Sequence, residues 1–237
     1  MKERSVFFNP FRMLSPKLNH EAQRLEKLHD EPVQEAVSLE EGLLVMLSKL
    51  IEMVRLLSRC AIPGSNDLMN RCATLAKEVH GQEKLLTRAM IASGVKGQVM
   101  KGLIRFPYRL ERIGDMLESI LDCFRIKARD EIAFSDKAYA ELDQLFSTLE
   151  EMMLNLRDAL QLPNKVLLEA IVRDGIRLAE SLEEFKLAHW ERLESGYCAI
   201  EASSIYRDIL DSAKSVNEYM VKMCETLLEL GKAGPGE

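Results

Sequence analysis

Between Val99 and Phe124 the residues Val99, Leu103, Phe106, Leu110, Ile113, Leu117, Ile120 and Phe124 recur at steps of 4, 3, 4, 3, 4, 3 and 4. That alternation is a heptad seam, the signature of an α-helix that must lay one apolar stripe against neighbouring helices. A half-buried strand would need period-two alternation, and no convincing run of it occurs anywhere in the chain. Turn residues are sparse, with 12 Gly and 7 Pro in 237 residues, where a sheet-rich domain needs more of them. Apolar residues make up 47% and charged residues 30%, which excludes a disordered tail.

The breakers divide this helical pattern. A first helix is expected over about Val37–Cys60, stopping at Ile62-Pro63-Gly64-Ser65. A second begins after Asn66-Asp67, both good caps, and continues to about Ala92, where Ser93-Gly94 ends it. The third runs from near Val95 to about Arg129. The fourth starts at the Ser135 cap and ends near Leu162-Pro163. The fifth starts after Asn164 and ends at Ser195-Gly196, and the sixth runs from about Ala199 to Leu230. Short connections force antiparallel neighbours, so residues 37–130 and 135–230 each read as three helices. The predicted fold is all-α, two tandem antiparallel three-helix bundles. Sliding the third helix onto the sixth superposes Ile113, Leu117, Ile120 and Phe124 on Ile209, Ala213, Val216 and Met220, which suggests a duplication. Residues 1–36 form a lead-in and 231–237 a flexible tail. Phe7, Phe8 and Phe11 in the lead-in read as an aromatic strap over the body or as a docking motif for a partner.

Several function classes are disfavoured. The net charge is −6, from 32 basic and 38 acidic residues, which argues against a nucleic-acid partner. Five scattered cysteines, none at CxxC spacing, argue against a zinc knuckle or thioredoxin-type site. Met1 to Met13 has no apolar core of a signal peptide, and runs such as Leu43–Leu47 are followed at once by Lys49, Glu52 and Arg55. A cytoplasmic protein with no membrane span is expected. The chain has no GxSxG, P-loop, GxGxxG or HExxH motif, so no enzyme activity is assigned. His20, His29 and His189 lack metal-ligand spacing to one another and are expected at the surface or an interface.

The polar face of the third helix is more specific. Glu111, Asp115, Glu118 and Asp122 lie at i, i+4, i+7 and i+11. At about 100° per residue they fall within roughly 60° of one another, away from the apolar seam. Arg105, Arg109 and Arg112 read as a separate stripe. Like charges one turn apart repel, and a bound cation would offset that; the bland alternative is a solvated acidic face. Gly114 lies on the border of seam and stripe, where a missing side chain admits a close neighbour or a ligand.

The segment Leu110-Glu111-Arg112-Ile113-Gly114-Asp115, on the third of six helices, resembles the signature of the PhoU family of phosphate-uptake regulators. The architecture of the resemblance spans residues 37–230, while its motif covers six residues. It implies a non-enzymatic helical adaptor of phosphate signalling. The implied partners are phosphate transporter or permease components and a sensor kinase. It implies metal ligation by Glu111 and Asp115 only, with iron, manganese or zinc as candidate ions and a metal-free site as the alternative. His80 and Glu83 on the second helix are the candidate completing ligands. The family's second acidic motif is absent, because the corresponding face reads Arg207, Asp211, Lys214, Glu218, a self-neutralised pattern. The alternatives are a carboxylate-bridged metalloenzyme or a metal-free helical scaffold. The first needs Glu-x-x-His pairs, and Glu26–His29 in the lead-in is the one such spacing. Whether the chain forms a homodimer is left open.

Overall fold

The structure is a computed structural model that describes residues 39–61, 65–92, 102–162 and 164–232. Six long helices follow one another: α1 Leu39–Cys60, α2 Asn66–Ala92, α3 Phe106–Arg129, α4 Asp136–Gln161, α5 Lys165–Glu194 and α6 Ile200–Lys232. The aromatic lead-in, the Pro63-Gly64, Ser93-Gly94 and Pro163 breaks and Val99 of the seam lie outside the described residues. Among the described residues there is no strand, and no helix is long and apolar enough to cross a membrane.

Local chemistry sets most of the boundaries. The Ser135 hydroxyl accepts from the Ala138 N–H and caps α4, and the Asn164 side chain accepts from the Leu167 N–H and caps α5. α2 begins one residue after Ser65, whose carbonyl accepts the Met69 N–H, so Asn66 and Asp67 are its first turn. α5 ends in a Schellman turn. The Gly196 N–H bonds to the Leu193 carbonyl, the Tyr197 N–H to the Arg192 carbonyl, and Gly196 takes a positive φ of 73°. α3 ends the same way, with Ile132 bonded back to Lys127, but the positive-φ residue there is Glu131, at 53°. The third helix departs from expectation at its start. A helical step at Gly102-Leu103 gives way to a turn at Ile104-Arg105, and α3 proper starts at Phe106 with Pro107 in its first turn. Proline has no N–H to donate and fits a first turn, so it resets the helix rather than continuing the one before it. At the far end of the chain α6 carries on through Gly231 to Lys232, beyond the predicted stop.

α1, α2 and α3 pack on one another, as do α4, α5 and α6. α1 also packs on α4, and α3 on α6, so these four helices form an inner layer with α2 outside α1 and α3, and α5 outside α4 and α6. The α3 seam is fully covered: Leu103, Phe106, Leu110, Ile113, Leu117, Ile120 and Phe124 all belong to one apolar cluster that runs through both bundles. Burial of that stripe, at about 25 cal/mol per Å² of apolar surface, holds the helices together.

Candidate functional site

The face of α3 that carries the motif is built by α2 and α3 together. Glu111 Oε1 lies 3.1 Å from His80 Nδ1, so the two helices are joined there. Glu111 is not free on the surface: its side chain is only 16% exposed. Asp115 turns the other way, accepting from Arg112 Nη1 at 2.6 Å. Glu83 accepts from the Thr87 hydroxyl one turn along its own helix, at 2.7 Å. The four expected ligands therefore fall into three separate contacts, and among the described residues no three of His, Cys, Asp and Glu are grouped to hold a metal. As arranged, these side chains do not make a cation cage.

The arginine stripe of Arg105, Arg109 and Arg112 is separate only in part. Arg109 donates to the Lys222 carbonyl and the Thr226 hydroxyl of α6, whereas Arg112 bridges to Asp115 three residues away, because a long arginine spans one turn. Outside that stripe, Arg125 bridges to Asp122 in the same way. Gly114 does admit close neighbours, but they are protein: a Cβ there would stand 3.3 Å from Val79 Cγ1 and 3.6 Å from Leu50 Cδ2. On α6 the matching face is neutralised across helices. Asp211 meets Lys186, and Lys214 meets Glu183, both of α5, each at 2.7 Å.

A second polar assembly, which the sequence reading missed, lies inside the α4–α5–α6 bundle. Glu141 of α4 is 2% exposed. Arg192 of α5 grips both of its oxygens, at 2.9 and 2.7 Å, and the Tyr206 hydroxyl of α6 donates to Oε2 at 2.5 Å. Such a fork on a carboxylate is what makes a buried charge tolerable. Burial, with the carboxylate of Glu141 beside it, holds the Tyr206 phenol well above its usual range, so it stays a donor. His189, expected at the surface or an interface, is also 2% exposed and lies inside the bundle. Its Nε2 sits 3.0 Å from the Ser203 hydroxyl and its ring packs on Tyr206, centroids 4.8 Å apart. Its Nδ1 has no hydrogen-bond partner, nor has Arg192 Nε. Burial first, then the Arg192 charge, lowers the His189 pKa, against the raising effect of Glu141.

This assembly backs onto a cleft of about 270 Å³ between the α3–α4 and α5–α6 loops. Phe134, Ser135 and Ala138 line one side, Cys198 and Ala202 the other, with His189 and Tyr206 between them. The two Schellman turns place the loops, since each reverses its chain at the mouth of the cleft. The signal for Glu141 was present in the sequence, as a carboxylate in the apolar stripe of Ala138, Leu142 and Leu145.

The whole arrangement can be set against known proteins. No family model matches the chain, and no curated protein matches it. Solved structures do. The crystal structure of PhoU from Pseudomonas aeruginosa aligns with a TM-score of 0.74 over 91% of this chain and 99% of that one, at 14% identity. The chain has the PhoU fold. The phosphate transport system regulatory protein PhoU from Streptococcus pneumoniae aligns as well, with a TM-score of 0.73, 12% identity and 92% and 99% of the two chains covered. Two bundles of three helices each thus reproduce nearly the full length of both PhoU structures, while most side chains differ.

Proposed function

We propose that this chain is a divergent member of the PhoU family and a non-enzymatic regulator of phosphate uptake. It acts in the cytoplasm as a helical adaptor that binds phosphate transporter or permease components, or their sensor kinase. The observation that carries this reading is the alignment of all but a few residues of two PhoU structures onto the six helices. The Leu110–Asp115 segment on α3, found independently in the sequence, supports it. Fold likeness is an analogy, and function has to be tested at the level of the cell. Deleting the gene in its own organism should raise phosphate uptake or expression of phosphate-starvation genes in phosphate-rich medium. A deletion strain indistinguishable from its parent under both phosphate regimes would overturn the reading.

A cation on the α3 face is a separate proposal, favoured by the His80–Glu111 contact across α2 and α3. It requires Asp115 to leave Arg112. Titrating metal-free protein with ferrous iron, manganese or zinc, beside Glu111→Gln/Asp115→Asn, reports whether that exchange occurs. Equal binding by both proteins would place any ion elsewhere.

A further inference from the structure

The cleft between the α3–α4 and α5–α6 loops has a surround that the adaptor reading leaves unused. Trp190 follows the lining residue His189 on α5, Tyr197 itself lines the cleft, and Ile200 lies between the lining residues Ala199 and Ala202. All three are exposed, from 53% at Trp190 to 80% at Tyr197. Tryptophan and tyrosine are enriched among the few residues that supply most of the binding energy of an interface.

Acidic side chains outnumber basic ones around the cleft. Glu131, Asp136, Glu191, Glu194 and Glu201 are exposed within a few residues of the lining, against the exposed bases Arg129, Lys137 and Arg207. Arg129 pairs with Asp130 and Arg192 with Glu141, which leaves Lys137 and Arg207 against the five carboxylates. An acidic rim repels anionic lipid headgroups and nucleic-acid phosphates, and attracts lysine and arginine.

We propose that this end of the second bundle is a docking surface for a cationic amphipathic segment of a partner protein. An apolar side chain of the partner enters the cleft against Phe134 and Ala202, its neighbours cover Trp190, Tyr197 and Ile200, and its basic residues meet the acidic rim. The cleft walls of Ala138, Ala199 and Ala202 are small enough to admit such an anchor. Lysine- and arginine-rich segments are the usual composition of the cytoplasmic loops of membrane proteins, so the surface suits a membrane-embedded partner approached through a loop. The docking rests on the adaptor reading, but its test is made on purified protein and fails separately from the deletion experiment.

Trp190 is the one tryptophan of the chain, so its fluorescence reports on this surface directly. The full chain is titrated with a short helical peptide of leucine and lysine at amphipathic spacing, and with its leucine–glutamate counterpart. The lysine peptide should shift the Trp190 emission to shorter wavelength and bind more weakly as salt rises, and the glutamate peptide should do neither. Tyr197→Ser/Ile200→Ser and Glu131→Lys/Glu201→Lys should each weaken binding about tenfold or more; Glu194 is left in place because it accepts the Trp190 indole N–H at 2.9 Å. Glu225→Lys/Glu229→Lys, an equal charge change near the other end of α6, should leave it as in wild type. These positions are exposed, so unchanged thermal unfolding verifies that the variants are folded. Absence of a Trp190 response, equal binding of both peptides, or equal weakening by the distant pair would overturn the proposal.

Discussion

The α3 face and the α4–α5–α6 interior both join carboxylates to arginines, yet they are different kinds of structure. On α3, Arg112–Asp115 and Arg125–Asp122 are pairs within one helix, each at least a third exposed to water. In the second bundle Glu141 is sealed in, and its two partners arrive from two other helices. A solvated pair is worth little, because water screens it and both side chains lose freedom by meeting. A sealed pair has no water to fall back on, so removing one partner strands a charge. On that ground the assembly most visible in the sequence is expected to matter less for stability.

The widest contrast should come from the arginines. Arg192→Met leaves Glu141 without its fork and should lower stability by about 3–5 kcal/mol in urea denaturation. Arg112→Met should change it by no more than about 1 kcal/mol. Equal losses would erase the distinction between the two regions.

Glycines sharpen it next. A Cβ at Gly175 of α5 would stand 2.4 Å from Val221 Cγ2 and 2.9 Å from Asn217 Oδ1. Gly175→Ala should therefore destabilise by about 1–3 kcal/mol through overpacking. At Gly114 of α3 the nearest atom would be 3.3 Å away, and helix propensity favours alanine by about 1 kcal/mol, so Gly114→Ala should be neutral or slightly stabilising.

Acid separates the regions further. His189 titrates below its ordinary value of 6.5 in the folded protein, so the unfolded chain takes up the proton first as the pH falls. Stability contributed by neutral His189 is complete above that value and is lost progressively below it, towards the folded pKa. Thermal midpoints should fall between about pH 7 and about pH 5 in wild type, and fall less steeply in His189→Gln. Parallel curves would mean that the acid sensitivity lies elsewhere.

The smallest effect concerns the two Schellman turns. Glu131→Gly relieves a left-handed conformation that costs a side chain about 1 kcal/mol, so it should stabilise slightly, whereas Gly196→Ala should destabilise by a similar amount. Differential scanning calorimetry of the two variants tests the pair.

How far the sequence carries the structure can be read from single residues. The α3 seam, the caps at Ser135 and Asn164 and the stop at Gly196 were legible because each depends on a few neighbours along the chain. Pro107 marks the start of α3 in the sequence as well: the seam continues through it to the buried Leu103, but a first-turn proline breaks the helix that carries it. The buried position of His189 was legible in the same way. It continues the spacing of Ile171, Gly175, Leu178, Leu182 and Phe185, so the stripe of α5 had already put it inside.

The candidate sites divide along the same line. The sequence alone determined that six helices form, where most of them stop and which stripe each buries, because helix periodicity and capping act over one or two turns. The tertiary structure decided which carboxylate met which base: Glu111 with His80, Asp115 with Arg112, and Glu141 with Arg192 and Tyr206. Charged side chains are long and their attraction has no period, so only the packing of α2 on α3 and of α4, α5 and α6 on one another could choose among the partners within reach.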